Sequence, residues 1–242
     1  MNTTLPPQFE RTQILLGDEG VALLRDKHIF VAGLGGVGSY CTEALARAGI
    51  GRLTLMDHDV VATSNINRQL PALLSTVGQS KAELMRARIA DINPECQVSL
   101  IATFLGRENV HELVPMDADY VIDCIDSMSC KVALVSYSVA QGLNVASSMG
   151  AGNKLDPTRI RVADISETIM CPLAREMRKY LRDLGIKKGV LTVYTDEKPR
   201  PPLPPQAVGR GRPRSVNGTI SYMPPLFGFM LAGAVINRLL EG

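Results

Sequence analysis

The sequence contains no tryptophan, aromatic residues make up only 5% of it, and charges of opposite sign nearly cancel. Its 242 residues include 26 lysines and arginines against 24 aspartates and glutamates, which leaves a formal net charge of +2. A protein with so little net charge has no general attraction to nucleic acid, so any such binding must come from a local patch. The length suffices for one large domain with a substantial core.

The 5 cysteines follow no regular spacing, and none of them forms the CxxC pair of a thiolate zinc site. Unpaired, irregular cysteines fit a reducing compartment. The first residues lack the basic and then apolar pattern of a secretory signal. The longest apolar run, over residues 226–236, is too short to cross a bilayer. We therefore expect a cytoplasmic protein without zinc and without a membrane span.

Up to residue 150, short apolar runs are followed by stretches of helical periodicity, after one or two short helices over 11–25. The pattern predicts strands over 28–32, 53–57, 97–102, 120–123 and 144–148, and helices over 37–48, 79–92 and 131–141. A strand, a glycine turn, a helix and a second strand form a right-handed βαβ unit. We therefore predict an α/β fold with a doubly wound, mostly parallel, Rossmann-like sheet.

Beyond residue 150 the pattern is less regular. It predicts strands over 159–164 and 189–194, and helices over 172–184 and 226–240. The last helix is apolar, so it packs in the core or in a dimer, with a helix on a membrane surface as the alternative. Residues 198–214 are rich in proline, glycine and arginine, a composition that buries too little apolar area to order itself. We expect a flexible loop over 196–216.

The turn after the first strand has the sequence of a phosphate-binding loop, with glycines at positions 33, 35, 36 and 38. Without a Cβ atom, Gly35 and Gly36 let the backbone approach a phosphate, and the following helix N-terminus offers free N–H donors. Gly33 and Gly38 complete the motif. Asp57 ends the next strand, where an acidic residue binds a ribose hydroxyl. A tight turn without a ligand and an NAD site remain alternatives at this point.

Downstream segments supply charged groups that an NAD site does not need. Asn65 and Arg68 lie in the segment Asn-Ile-Asn-Arg-Gln, Lys81 begins a helix, and Asp126 follows the fourth strand. The ends of parallel strands meet at one edge of a sheet, so these residues can converge. Adenylation places negative charge on the α-phosphate and on departing pyrophosphate, which calls for cations. Each residue alone is better explained by a surface or capping role, but their occurrence in order after a phosphate-binding loop predicts a site for ATP.

These motifs occur in the order found in the ThiF/HesA/MoeB superfamily, the bacterial relatives of ubiquitin-activating enzymes, which residues 9–150 resemble most strongly. The resemblance implies ATP-dependent adenylation of a carboxylate. It implies that residues 9–150 form the nucleotide-binding core of a single domain over 1–242, and that 151–242 form an extension for substrate and dimer contacts. A homodimer is expected, and a monovalent cation and a sulfur-relay protein partner are left open.

The same resemblance assigns roles to individual residues. Catalytic roles fall to Arg68, Lys81 and Asp126, of which Asp126 is the magnesium ligand. The nucleotide contacts that the resemblance implies are those of the four glycines, Asp57 on the ribose, Asp59, Asn65, Arg68 and Lys81 on the phosphates, and Arg11 near the γ-phosphate. The segment around Arg11 departs from the arginine-rich form usual in the superfamily.

Residues 150–172 resemble the branch of this superfamily that dehydrates threonylcarbamoyladenosine in ANN-decoding tRNA. This resemblance implies that the threonyl carboxylate is adenylated and that the carbamoyl group then closes a ring. An alternative is adenylation of the C-terminus of a ubiquitin-like sulfur carrier. A third reading, a redox or non-catalytic Rossmann module, leaves Arg68 and Lys81 without a role.

Two further features bear on the substrate. Cys171 precedes Pro172 at a predicted helix start, where a thiol tends toward a lowered pKa, so it is either a thioester-forming residue or a small residue at a helix terminus. Several basic residues in the C-terminal half either contact tRNA phosphates or belong to a solvated linker; they are Lys187, Lys188, Arg200, Arg210, Arg212 and Arg214.

Overall fold

The computed structural model describes residues 6–206 and 214–241. The strands in these ranges are β1 (His28–Ala32), β2 (Arg52–Met56), β3 (Gln97–Ile101), β4 (Tyr120–Asp123), β5 (Val145–Ser148), β6 (Ile160–Asp164), β7 (Leu191–Thr195), β8 (Leu203–Gln206) and β9 (Arg214–Val216). The helices are α1 (Glu10–Arg25), α2 (Gly38–Ala48), α3 (Lys81–Ile92), α4 (Val110–Leu113), α5 (Met128–Ala140), α6 (Pro172–Asp183) and α7 (Met223–Glu241).

Seven strands form one sheet in the order β3-β2-β1-β4-β5-β7-β6. Every neighbouring pair is parallel except β6 and β7, which run antiparallel. The chain moves outward from β1 to β3 and then returns to place β4 on the other side of β1. Such a change of direction opens a crevice at the carboxyl ends of the central strands. The prediction of a doubly wound, mostly parallel sheet is confirmed.

Both faces of the sheet are buried, as the apolar strand sequences require. In β1, Ile29 and Val31 belong to one apolar cluster, which α2, α3 and α7 complete. Phe30 and Ala32 point to the other face, where α5 and α6 provide the contacts. Because successive side chains of a strand alternate between faces, one short strand contributes to both layers of the core.

The C-terminal part belongs to the same sheet and core, since β6 and β7 extend the sheet and α7 packs on α2. Helix α7 has 19 residues and a mean hydropathy of 1.4 over its most apolar window, so the expectation that this segment is too short to cross a membrane is corrected. Half of that window (50%) is nevertheless buried inside the fold. Its apolar residues are therefore explained by core packing, which was the first of the predicted alternatives.

Some elements were not expected from the sequence. The short helix α4 and the two-stranded antiparallel ribbon of β8 and β9 fall where loops were predicted. Prolines fit in β8 because a strand in a two-stranded ribbon has an outer edge that needs no N–H partner. Residues 207–213, with Arg210 and Arg212, lie outside the described residues. Helix α1 is interrupted at Gly17, whose φ of 71° is not helical, in line with the prediction of one or two helices.

Candidate nucleotide site

The turn between β1 and α2 is built so closely that only glycine fits at several of its positions. Gly33 has a φ of 88°, a left-handed conformation that favours glycine. A Cβ atom on Gly38 would overlap the carbonyl oxygen of Gly33, and one on Gly36 would come within 2.9 Å of Pro224 Cβ. The bare backbone of this turn and the N-terminus of α2 therefore face the crevice, as a phosphate site requires.

Asp57 is held beside the turn by backbone amides. Leu34 N donates to its Oδ2 at 2.7 Å and Asp59 N donates to its Oδ1 at 2.8 Å, and the residue is 8% exposed. A carboxylate has about four acceptor positions, so two remain for a ligand hydroxyl. The predicted ribose-binding residue is thus fixed in orientation before any ligand arrives.

The two predicted cations have different surroundings. Lys81 is buried at the start of α3, and its Nζ donates to Asp59 Oδ2 at 3.0 Å. Arg68 donates from Nη1 to Ser64 O at 3.0 Å and to Asn67 Oδ1 at 2.8 Å. Among the described residues, no carboxylate lies within ion-pair distance of Arg68. Its positive charge is therefore available to an anionic ligand.

These groups surround a cavity of about 380 Å³ at the switch point of the sheet. The predicted site residues that line it are Gly33, Gly35, Gly36, Asp57, Asp59, Asn65, Arg68, Lys81 and Asp126. The cavity therefore brings together glycine backbone, carboxylates and cations, the combination that a nucleotide with several phosphates requires.

Three predicted residues do not line this cavity. Gly38 lies beneath it in the first turn of α2, where its role is close packing. Arg11 is exposed on α1 and does not line the cavity. Cys171 is 3% exposed, with its Sγ 3.9 Å from Lys154 Nζ. Burial lowers the pKa of Lys154.

Two lining side chains near Asp57, those of His58 and Phe104, were not predicted from the sequence. The rings of His58 and Phe104 meet edge to face with centroids 5.3 Å apart, and Phe104 is 55% exposed. Both residues line the cavity. The sequence could have indicated Phe104, because it follows β3. The carboxyl end of β3 lies at the same edge of the sheet as that of β2. An exposed aromatic ring at this place can stack on a base.

Sequence reasoning also missed the wall that comes from the C-terminal half. Gly152, Thr219 and Pro224 line the cavity, and Asn67 Nδ2 donates to Thr219 O at 3.0 Å. Asn153 is a non-glycine residue with a φ of 60°, and its side chain bonds to Asn217 and to the amide of residue 218. No local pattern could have found these contacts, since they join segments more than 60 positions apart in the chain.

Gln69 is a further lining residue that was not singled out. It is 8% exposed, and its Oε1 has no hydrogen-bond partner among the described atoms. A buried polar atom without a partner is costly unless a ligand or water satisfies it. Gln69 therefore offers an additional polar contact to a ligand in the cavity.

A buried ion pair supports the loop that carries Asp126. Lys131 Nζ lies 2.6 Å from Asp123 Oδ2, and both side chains are fully buried. Lys131 also donates to Ser148 O at 2.9 Å, and Ile125 N donates to Asp123 Oδ1 at 3.1 Å. The pair therefore fixes the end of β4, from which the loop leads to the cavity.

The cavity wall also carries an unpaired carboxylate, that of Asp126. Asp126 is exposed at the cavity wall, and within 6–206 and 214–241 no cation pairs with it. Magnesium is usually held by one or two carboxylates together with substrate phosphates, and a free carboxylate on the cavity wall fits this pattern. A hydrogen bond with Cys41 and burial raise the pKa of the neighbouring Cys124 thiol, so this sulfur is a neutral part of the wall.

Comparison with known proteins agrees with this geometry. The tRNA threonylcarbamoyladenosine dehydratase of Bacillus subtilis is 42% identical over 241 residues, which cover 97% of this chain and 95% of the relative. The protein of the same name from Escherichia coli is 44% identical over 197 residues, covering 78% and 74% of the two chains.

A crystal structure of the Escherichia coli dehydratase in complex with ATP superimposes with a TM-score of 0.87 at 37% sequence identity. The match covers 97% of this chain and 94% of the other. The model of the ThiF family matches residues 9–242, which include the glycine turn, both cations and the C-terminal wall of the cavity. The chain therefore belongs to the ThiF family.

Proposed function

We propose that this protein uses ATP to dehydrate threonylcarbamoyladenosine in tRNA through an acyl-adenylate. The observation that carries the proposal is the convergence of Arg68, Lys81 and the glycine turn on one cavity with Asp57 at its side. The high identity to dehydratases over nearly the whole chain supports the choice of substrate. The fold by itself would not, since related folds host several reactions.

In the first step, the threonyl carboxylate attacks the α-phosphorus of ATP, and the bond between the α-phosphorus and the bridging oxygen breaks. Arg68 and Lys81 stabilise the negative charge that develops on the departing pyrophosphate. Asn65 uses its Oδ1 to accept from Ala62 N at 3.1 Å, so its Nδ2 is the atom that faces a phosphate oxygen. Asp57 binds the ribose, and Asp59 holds Lys81 in place.

In the second step, a nitrogen of the carbamoyl group attacks the activated carbonyl carbon and gives up its proton to solvent, AMP leaves with the former carboxylate oxygen, and a ring closes. Because nucleophile and electrophile belong to one substrate, proximity supplies most of the acceleration. When bound at Asp126, magnesium would neutralise phosphate charge. The protein itself orients the carbamoyl nitrogen and the activated carbonyl group, and no cysteine thioester forms.

The proposed assembly is a cytoplasmic homodimer that acts on ANN-decoding tRNA. Arg11 does not line the cavity of its own chain, so its proposed contact with the γ-phosphate requires the partner subunit. We assign tRNA contacts to residues 151–242, among which Arg200 is exposed. All 5 cysteines are free thiols, which supports a reducing compartment.

Pyrophosphate release tests this proposal. The protein is incubated with ATP and either tRNA containing threonylcarbamoyladenosine, the same tRNA without the modification, or a sulfur-carrier protein ending in Gly-Gly. We expect release only with the modified tRNA. Release only with the carrier protein would replace the proposal by the carrier-activating function.

A further inference from the structure

Helix α6 and the loop that follows it carry an unusual concentration of positive charge. Residues 172–188 contain six lysines and arginines and two acidic residues, a net charge of +4, whereas the whole chain has a net charge of +2. The excess is therefore local, and the rest of the protein is slightly acidic. This is the kind of patch that a nearly neutral protein needs to bind a polyanion.

The cations of α6 lie on one face of the helix. Ala174, Met177 and Leu181 are buried against the core. Arg175, Lys179 and Arg182, at positions i, i+4 and i+7, are all exposed on a different side. This spacing aligns the three cations in a row that points away from the core.

Several surface cations of this protein are paired with a neighbouring carboxylate, but the cations of this row have at most one long contact of that kind. Arg25, Arg52 and Arg86 are examples of paired cations. In the described part of the chain, Lys179 and Arg182 have no carboxylate within ion-pair distance. The same holds for Lys187 and Lys188, and Arg175 has only a long contact of 3.9 Å with Glu176.

The row begins beside the wall of the nucleotide cavity. Leu173, in the first turn of α6, lies 3.6 Å from where a Cβ of Gly150 would be, and Lys154 contacts Cys171 at the start of the same helix. Gly152, in the loop between Gly150 and Lys154, lines the cavity. At about 1.5 Å per residue, the row from 175 to 182 is roughly 10 Å long.

We propose that Arg175, Lys179, Arg182, Lys187 and Lys188, which we call the α6 track, bind the phosphate backbone of the RNA substrate. This inference rests on the proposed function, in which the reacting nucleoside is part of a large polyanion. Phosphate contacts of this kind fix orientation and carry no sequence information. The α6 track thus holds the tRNA while the modified nucleoside enters the cavity.

The test compares two triple variants with the same net charge. The track variant is Lys179→Gln/Arg182→Gln/Lys187→Gln. The control variant is Arg47→Gln/Arg86→Gln/Arg238→Gln, which removes three exposed cations that already have carboxylate partners. The dissociation constant for threonylcarbamoyladenosine-containing tRNA is measured by fluorescence anisotropy at several salt concentrations.

We expect the track variant to bind this tRNA roughly tenfold more weakly or worse, and the slope of log affinity against log salt to fall by about one per lost contact. The control variant keeps the wild-type slope. A charge-preserving variant, Lys179→Arg/Arg182→Lys, retains wild-type affinity. Equal weakening in both triple variants, or no weakening in the track variant, would overturn the proposal.

Turnover is read separately, as pyrophosphate release over a range of tRNA concentrations up to saturation. We expect the track variant to raise KM for tRNA and to leave kcat unchanged, because the α6 track does not touch the cavity. Wild-type protein that binds the tRNA without releasing pyrophosphate would refute the dehydratase function, while the binding comparison would still decide on the α6 track. Wild-type protein that does not bind the tRNA would refute both.

Discussion

We propose that two side chains of the cavity, Arg68 and Lys81, decide whether the site acts on ATP. Arg68 has no carboxylate partner among the described residues, so its positive charge is not neutralised until a ligand binds. We expect Arg68→Ala to lower the rate of adenylation by about 10²–10³-fold, the usual loss when a group that stabilises developing charge is removed. Lys81→Ala should act in the same direction. Pyrophosphate release on modified tRNA measures the effect.

The matched control for these variants is Arg86→Ala, which removes an exposed arginine of α3 paired with Glu83. It should leave the rate unchanged. Thermal unfolding monitors the fold of all three variants. Wild-type turnover in Arg68→Ala would show that its assigned role is wrong.

Cys171 distinguishes dehydration from thioester transfer. It is buried against Lys154 and does not line the cavity, so an adenylated carboxyl group cannot reach it without a rearrangement. We expect Cys171→Ser to dehydrate tRNA at the wild-type rate. An inactive variant that retains its fold, together with a thioester trapped on the wild-type protein, would favour the carrier-activating alternative.

Site residues that belong to sequence motifs could be predicted, and those brought to the cavity by tertiary contacts could not. Asp57 and Lys81 were found because they lie at the end of a predicted strand and at the start of a predicted helix, and Arg68 because it belongs to the segment Asn-Ile-Asn-Arg-Gln. Thr219 could not be found, because its position at the cavity depends on a contact with a residue 152 positions away. The buried pair of Asp123 and Lys131 was missed because a charged residue in a sequence gives no indication of burial.

Among the elements, the turn between β1 and α2 has the strictest steric requirement. A Cβ on Gly38 would overlap the carbonyl oxygen of Gly33. We therefore expect Gly38→Ala to abolish nucleotide binding and to destabilise the fold. Isothermal titration with ATP and urea unfolding measure the two effects.

Gly233→Ala is the matched control, because this helical glycine of α7 has no atom within 4 Å of the added Cβ. Alanine is the better helix former by about 1 kcal/mol, so this variant should be as stable as wild type or more so, with normal ATP binding. Normal binding in Gly38→Ala would contradict the close packing of the turn.

The connection between β4 and α5 depends on the buried ion pair. We expect Lys131→Met to lower the free energy of unfolding by about 3–5 kcal/mol, because Asp123 would be left charged and unpaired in the core. Urea unfolding measures the loss. The double variant Lys131→Met/Asp123→Asn, which removes both charges, should lose less than Lys131→Met alone, and equal losses would show that the pairing itself contributes nothing.

Elements with clear limits in the sequence were well predicted, and those without such limits were not. Strands β1 and β4 begin and end where the sequence placed them, since apolar runs bounded by glycine or by charged residues have clear limits. Helix α4 has one turn, too short for a periodic signal. The ribbon of β8 and β9 was missed because its prolines indicate a loop, and only the pairing of its two strands explains the extended conformation.

In the molecule as a whole, the two halves of the chain close one site. The N-terminal half provides the glycine turn, Asp57 and both cations. The C-terminal half provides β6 and β7, helix α7, and the wall at Gly152 and Thr219. ATP-dependent adenylation could therefore be predicted from the first half alone, whereas the substrate was predicted from residues 150–172 and the C-terminal wall of the cavity required the structure.

The central claim is that this cavity uses ATP to remove one water from threonylcarbamoyladenosine in tRNA. The most direct measurement is the mass of that nucleoside after incubation of modified tRNA with the protein and ATP, with AMP quantified in the same sample. We expect the nucleoside to lose one water and one AMP to form for each nucleoside converted. An unchanged nucleoside mass, in a preparation that binds ATP and tRNA, would contradict the claim.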